Sequence, residues 1–120
     1  MKNERIIVIS NTLKELGVSP SLEGYTYLRE ALELAADNIA LTFRGSITKI
    51  LYPTIAKKYH TKVNRVERAI RYAIDTAFSR NTDLLAEMFK FVTYGRATNG
   101  EFISTVADYL MLKEHSNEQR

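Results

Sequence analysis

The sequence predicts an all-α fold: a six-helix, bundle-like domain that contains a helix-turn-helix. Apolar residues recur at intervals of three and four along most of the chain, and no segment alternates apolar and polar residues as a strand does. Glycine, proline and capping residues stand where the apolar pattern stops. With 120 residues, 45% hydrophobic and 26% charged, and no repeat or flexible linker, residues 1–120 are predicted to form a single domain.

The first third of the chain predicts two amphipathic helices. The first covers residues 3–16 and stops at Gly17. The second covers residues 24–42. The residues expected to face inwards are Ile6, Ile9, Leu13 and Leu16 in the first helix, and Tyr25, Leu28, Leu32, Ala35 or Ala36, and Ile39 in the second. Acidic residues on the outer face of the second helix are interpreted as a solvated stripe: Glu30, Glu33 and Asp37.

The middle of the chain predicts two short helices and a longer one. The helical segment "ITKILY" is expected to end near Tyr52, because the residue before a proline is disfavoured in helical conformation. Pro53 then suits the first position of a helix over residues 53–59. A helix over residues 65–79 follows, with Asn64 as its cap and Glu67 completing a capping-box pair.

Two helices are predicted in the last third, over residues 82–91 and 99–112. Thr98 and Glu101 stand at capping-box spacing before the second of them, and residues 115–120 are expected to form a disordered tail. Six aromatic residues follow the apolar pattern and are expected in the core: Tyr25, Tyr27, Phe43, Phe89, Phe91 and Phe102.

Positive charge is concentrated in one part of the chain. Residues 44–80 hold nine Lys and Arg against two Asp and Glu, which gives this part +7 in a chain whose total is +3. A local cluster of cations is the electrostatic pattern of a polyanion-binding surface. Three of the nine, Arg44, Lys49 and Arg80, are interpreted as surface charges rather than contacts.

The basic block also has the apolar spacing of a helix-turn-helix. Ile55, Ala56 and Tyr59 form the inner side of the first helix, and His60 occupies the turn, where a left-handed conformation is needed and histidine is tolerated. The inner side of the second helix consists of Val63, Val66, Ile70, Ala73 and Ile74. This arrangement predicts that residues 65–79 form a recognition helix that lies in the major groove of DNA.

The outer side of the predicted recognition helix displays arginines along one stripe. Arg65, Arg68 and Arg71 can each form paired hydrogen bonds with guanine or clamp a phosphate, and Tyr72 lies beside them. Glu67 could accept from a cytosine amino group, cap its own helix or pair with Arg71. Lysines in the first helix and the turn are predicted to contact the sugar-phosphate backbone: Lys57, Lys58 and Lys62.

Other functional classes find little support in the sequence. The chain has no cysteine and no apolar run near the roughly 20 residues that span a bilayer, which favours a cytoplasmic protein without membrane contact. His60 and His115 lie far apart, and no catalytic set, metal-ligand spacing or phosphate-binding glycine loop occurs. We therefore predict no enzymatic activity, no metal and no cofactor.

Two long strings resemble a known family. "GSITKILYPTIAKKYHTKVNRVERAIRYAID" and "TNGEFISTVADYL" are similar to the C-terminal DNA-binding effector domain of the stage 0 sporulation protein A family, and "LKELGVSPSLEGYTYLREAL" extends the similarity over residues 8–112. The family pattern differs at Asn64, Tyr72 and Phe78, where it has Ser, His and Trp, and residues 81–97 match it poorly.

The resemblance implies a six-helix domain that binds a TGTCGAA-like box in double-stranded promoter DNA and activates or represses transcription at the start of sporulation. It belongs to response regulators of a phosphorelay, whose receiver domain has no counterpart in these 120 residues. The base- and phosphate-contacting residues of the family, in the string "RVERAIR", match Arg65, Glu67, Arg68 and Arg71 here. Taken together with the helix-turn-helix spacing, base contacts are predicted for Arg65, Glu67 and Arg68. Phosphate contacts are predicted for Arg71, Lys57, Lys58, Lys62, Asn64 and Tyr72.

Partners other than DNA also follow from the resemblance. The family uses the segment corresponding to residues 81–97 to contact the sigma factor of RNA polymerase, and two copies are expected to bind side by side on DNA. The main alternative is a protein-interaction module that uses the same helices without specific DNA binding.

Overall fold

Six α-helices form the framework of the computed structural model, which describes residues 2–43 and 45–118. They are α1 (Lys2–Glu15), α2 (Glu23–Asp37), α3 (Tyr52–Lys58), α4 (Val63–Arg80), α5 (Asp83–Met88) and α6 (Asn99–Glu118). A 3₁₀ turn, Ile39–Thr42, and a π-helical turn, Ile47–Leu51, lie between α2 and α3. No strand occurs in the described ranges, so the predicted all-α fold is confirmed. Arg44 lies outside the described residues.

Helix α2 is at the centre of the fold. It packs most extensively against α4 and also contacts α1, α3 and α6. The amphipathic faces of these helices meet in one core, in which removal of apolar surface from water is the main stabilising term. The largest fully buried side chains are Ile9, Leu13, Leu16, Leu28, Leu32, Leu51, Ile55, Ile70, Ile74, Leu85, Phe102 and Ile103.

Gly24 allows α2 and α4 to approach closely. A Cβ atom at this position would collide with the main-chain oxygen of Ala69 and would lie 2.7 Å from the Cβ of Ala73. Both contacts are shorter than a packed core tolerates. A residue without a side chain is therefore required where the first turn of α2 crosses α4.

The second helix is shorter than predicted. It ends at Asp37 rather than at residue 42, because Asn38 has an extended backbone and its side-chain oxygen accepts a hydrogen bond from the amide of Ala40. Asparagine competes for local backbone donors in this way and so favours turns over helix interiors. Ile39 consequently lies in a 3₁₀ turn and is 36% exposed.

The predicted helix end at Tyr52 is wrong. Tyr52 has helical φ and ψ, and its amide donates to the carbonyl of Ile47 in a π-helical turn that leads directly into α3. The wider turn accommodates Pro53, whose ring would clash with the carbonyl four residues earlier in a regular α-helix. The hydroxyl of Thr54 donates to the carbonyl of Ile50 at 2.7 Å, a side-chain bond to the backbone within the same turn.

Helix ends differ from the predictions by more than one residue in three further places. Helix α4 begins at Val63 with Lys62 at its N-cap and no side-chain cap, so the predicted capping by Asn64 and Glu67 is wrong. Helix α5 ends at Met88 instead of residue 91. Helix α6 continues through Glu118, so residues 115–118, predicted as part of a disordered tail, are helical; residues 119–120 lie outside the described range.

The capping box before α6 is confirmed. The amide of Thr98 donates to the Glu101 carboxylate at 2.8 Å, and the amide of Glu101 donates to the Thr98 hydroxyl at 3.1 Å. Two amides that would otherwise lack partners at the helix start are satisfied reciprocally. The sequence signal is reliable here because both partners belong to one local turn.

Four of the six aromatic residues predicted for the core are buried: Tyr25, Tyr27, Phe89 and Phe102. The predictions for Phe43 and Phe91 are wrong, because these side chains are 61% and 55% exposed. Both follow the end of a helical element, Phe43 the 3₁₀ turn and Phe91 helix α5. Beyond these helix ends the helical period no longer applies, so apolar spacing does not predict burial there.

Candidate nucleic-acid interface

Helices α3 and α4 form the predicted helix-turn-helix. They are joined by a four-residue turn, 59–62, in which His60 has φ of 53°. This left-handed conformation is the one predicted for His60. The seam between the helices is buried at Ile55, Ala56, Val66, Ile70, Ala73 and Ile74, and half-buried at Tyr59 and Val63.

The side of α4 opposite this seam is exposed and basic. Arg65, Arg68, Arg71 and Tyr72 are exposed, as is Asn64 in the first turn. Lys57, Lys58 and Lys62 are exposed at the end of α3 and in the turn. The fold thus places all the predicted DNA-contacting residues on the outer surface of one α3–turn–α4 unit, hereafter the basic face. The roles of individual residues stay predictions.

Glu67 pairs with the next turn of its own helix. Nη2 of Arg71 donates to Oε1 of Glu67 at 2.7 Å, and both side chains are partly exposed. Of the three alternatives that the sequence left open, capping is excluded because α4 has no side-chain cap, and pairing with Arg71 is observed. Since an exposed pair of this kind contributes only about 0.3 to 0.5 kcal/mol, base contact by Glu67 remains compatible with it.

Helix α2 supplies a carboxylate to Arg65 on the basic face. Nε and Nη2 of Arg65 donate to the two oxygens of Glu23 at 2.7 and 3.1 Å, and the hydroxyl of Tyr27 donates to Oε1 at 2.8 Å. The hydrogen bond from Arg65, followed by that from Tyr27, lowers the pKa of Glu23 below its ordinary value. Glu23 therefore remains ionised, and its pair with Arg65 intact, down to more acidic pH than an isolated glutamate would.

A second carboxylate of α2 holds the end of α3. Oε1 of Glu30 accepts from Nζ of Lys58 at 2.8 Å and from the hydroxyl of Tyr59 at 2.9 Å. The hydrogen bond to Glu30 raises the pKa of Lys58, and burial, followed by the same carboxylate, raises the pKa of Tyr59. Glu30 is only 8% exposed. Its assignment to a solvated stripe is therefore wrong, because α3 covers this part of α2.

An aromatic contact connects the two carboxylate sites. The rings of Tyr27 and Tyr59 meet edge to face with centroids 5.5 Å apart. Edge-to-face packing is a favoured geometry for aromatic pairs. Helix α2 thus contacts the helix-turn-helix through Glu23, Tyr27 and Glu30 and holds it in place. This role was not predicted from the sequence. The available signal was the spacing of Glu23 and Glu30, seven residues apart and so on one face of the helix.

Helix α6 also contacts α4 through a polar group. Nδ2 of buried Asn99 donates to the hydroxyl of Tyr52 and to the main-chain oxygen of Glu67, both at 3.1 Å. Burial is the main cause of the raised pKa of Tyr52. The contact fixes the second turn of α4 against the start of α6, and no sequence motif indicated it.

The basic face divides into paired and unpaired cations. Lys58, Arg65 and Arg71 each bind a carboxylate of the chain. Arg68, Lys57 and Lys62 form no ion pair with any residue of the described ranges. The unpaired cations can interact with an external anion without first breaking an internal contact, so they contribute most directly to attraction of a polyanion.

The described part of the chain contains neither a candidate metal site nor a candidate membrane-spanning helix. No group of three or more His, Asp or Glu in residues 2–43 and 45–118 could hold a metal ion. Within the same ranges, no helix has both the length and the apolar character needed to cross a membrane.

Comparison with known families agrees with the geometry. The family model described as "Sporulation initiation factor Spo0A C terminal" matches residues 9–110, nearly the whole chain. The chain belongs to this family. It is a DNA-binding effector domain of the sporulation-initiation type, and DNA is its partner.

The match to the Spo0A C-terminal family covers the basic face. The matched range contains α2 to α5 completely and includes the α3–turn–α4 unit together with the helix that supports it. Within the described part of the chain, the basic face brings together several exposed Lys and Arg side chains, which is the charge pattern that favours a polyanion.

Proposed function

We propose that this domain is a sequence-specific transcription factor that reads a short promoter box through α4 and activates or represses transcription. The observation that supports this best is the exposed face of α4, where arginines and Tyr72 stand opposite an apolar face that is buried from Val66 onwards. An α-helix fits the major groove of B-DNA, and arginine is the side chain that most often reads guanine there. The proposal places the protein with promoter DNA in the cytoplasm.

The proposed contacts follow the position of each side chain. Base reading is assigned to Arg65, Glu67 and Arg68, which lie in the first two turns of α4. Contacts to phosphates are assigned to residues around them and at the turn: Lys57, Lys58, Lys62, Asn64, Arg71 and Tyr72. Phosphate contacts set the position of the helix, and the base contacts set the specificity.

Binding to matched duplexes tests the proposal. Fluorescence anisotropy with one duplex that contains a TGTCGAA-like box and one with the same bases scrambled gives two dissociation constants at each salt concentration. We expect the box duplex to bind at least tenfold more tightly at moderate salt, because specific contacts add to the common electrostatic term. Equal affinities would exclude specific reading and would favour a protein-interaction module.

Lys62→Ala is expected to weaken binding to the box and the scrambled duplex by the same factor. Lys62 is exposed at the start of α4 and unpaired among the described residues, so it suits a phosphate and not a base. Loss of one phosphate contact should reduce the slope of log K against log salt by about 1. The control is Lys14→Ala on α1, which removes the same charge outside the α3–turn–α4 unit. A loss confined to the box duplex would show that Lys62 reads sequence instead.

We propose a second role for residues 81–97, contact with the sigma factor of RNA polymerase. Phe91 and Tyr94 are 55% and 89% exposed in this segment. Exposed aromatic residues are enriched at protein interfaces, where they become buried. On neighbouring DNA boxes, two copies of the domain are proposed to bind in tandem.

An NMR titration tests the sigma contact. Addition of a purified sigma-factor domain should shift amide resonances of residues 81–97 and leave those of α4 unchanged, because the two surfaces are separate in the proposal. Two results would contradict this role. One is a set of shifts confined to α4, and the other is no shift at all at a sigma-factor concentration that supports transcription. Addition of box DNA to the same sample should shift the α4 resonances and serves as the positive control.

A further inference from the structure

The guanidinium group of Arg65 is held along only one of its edges. Glu23 accepts hydrogen bonds from Nε at 2.7 Å and from Nη2 at 3.1 Å, which together form the side edge of the group. Nη1 and the second proton of Nη2 form the end edge, and the hydrogen bonds from Arg65 to Glu23 leave this edge open. A guanidinium has five N–H donors, so two remain on that edge for a planar, two-point acceptor.

The position of Glu23 is itself fixed. Its Oε1 accepts from the hydroxyl of Tyr27 at 2.8 Å, and the ring of Tyr27 is buried against Tyr59. Glu23 is also the first residue of α2 and precedes Gly24, whose backbone touches α4 at Ala69 and Ala73. The Glu23 carboxylate is thus held on the first turn of α2, at the point where α2 crosses α4, the helix that carries Arg65.

We propose that Glu23 is a positioning residue for base reading, which orients Arg65 so that its end edge faces a guanine in the major groove. This inference rests on the proposed function of α4. The O6 and N7 atoms of guanine accept two parallel hydrogen bonds from such an edge. Glu23 makes no contact with DNA in this arrangement and acts only through Arg65.

Two physical effects favour positioning over simple competition with DNA. An unpaired arginine loses rotamer freedom when it binds a base, and a contact that already orders it removes part of that cost. The carboxylate takes the side edge and leaves the end edge accessible, so Arg65 does not have to exchange one partner for the other. A competing carboxylate would have to occupy the end edge or cover the group, yet the side chain of Arg65 is 65% exposed.

Glu23→Gln tests the inference. Glutamine has the size of glutamate and an oxygen that can accept from Tyr27, but it lacks the charge and the second oxygen that bind Arg65. Its preference for the box duplex over the scrambled duplex should fall about three- to tenfold relative to the parent protein. Replacement of one box guanine by 7-deazaguanine, which lacks the N7 acceptor, should weaken the parent protein more than the variant. The control Glu33→Gln removes the same charge from the same helix, where no hydrogen bond to Arg65 exists, and should leave the preference unchanged.

An Arg65→Ala background separates positioning from a purely structural role. Glu23→Gln should have no further effect on the preference in that background, since Glu23 acts only through Arg65. A persistent effect would overturn the inference, as would an unchanged preference in the single variant. Tighter binding of both duplexes by Glu23→Gln would also overturn it and would identify Glu23 as a competitor of DNA. If the parent protein itself does not distinguish the duplexes, the proposed function fails, a result that is distinct from the other three.

Discussion

Arg68→Ala is expected to weaken binding to the box duplex by about 1 to 3 kcal/mol and to reduce discrimination against the scrambled duplex. Arg68 is exposed in the second turn of α4 and forms no ion pair with any described residue, so its donors are available to a base without the loss of an internal contact. Anisotropy titrations at constant salt give both dissociation constants. The stability of the domain should change little, because the side chain is exposed and unpaired.

Arg80→Ala is the matched control for Arg68→Ala. Arg80 is also an exposed arginine of α4, but it lies in the last turn, four turns beyond the first contacts. Its loss should lower the affinity for both duplexes slightly and equally through the reduced charge. If Arg68→Ala behaves like Arg80→Ala, α4 does not read sequence through Arg68, and the assignment of this base contact is wrong.

Gly24→Ala is expected to destabilise the domain by about 1 to 3 kcal/mol. The new methyl group would overlap the main-chain oxygen of Ala69 and the Cβ of Ala73, and neither atom can move aside as the end of a flexible side chain could. Helices α2 and α4 would have to separate, and interhelical packing throughout the core would weaken. Urea denaturation monitored by circular dichroism measures the free energy of unfolding.

Gly100→Ala provides the comparison for Gly24→Ala. Gly100 lies in the first turn of α6, where an added Cβ would have only the Cδ1 atom of Ile47 within 4 Å, at 3.6 Å. Alanine is the better helix former, so this variant should be as stable as the parent or up to about 1 kcal/mol more stable. If Gly24→Ala leaves the free energy of unfolding as high as Gly100→Ala does, the crossing of α2 and α4 tolerates a side chain.

The sequence predicts those parts of the fold that depend on local pattern. The capping box of Thr98 and Glu101, the stop at Gly17 and the left-handed His60 are all found in the structure, since each depends on residues within one turn. The errors occur where a local rule competes with a second local interaction. Asn38 ends α2 early by bonding a backbone amide, and the π-helical turn carries the helix through Pro53.

In the candidate site, too, some features follow from local sequence pattern and others depend on tertiary packing. The exposure of Arg65, Arg68 and Arg71 was predictable, because the period of an α-helix determines which residues lie opposite a buried stripe. The distinction between paired and unpaired arginines was predictable only for Arg71, whose partner Glu67 is four residues away on the same helix. The partner of Arg65 lies 42 residues earlier in the chain.

The sequence by itself determined the all-α fold, the helix-turn-helix and the basic face, because hydrophobic period and charge are properties of neighbouring residues. Only the tertiary structure decided that α2 supports this unit, with Glu23 against Arg65 and Glu30 against Lys58. These contacts depend on the distance at which two helices cross, and Gly24 sets that distance by the absence of a side chain. Residues that lie far apart in the chain meet only after the core has packed, so their pairing follows from packing and not from any local pattern.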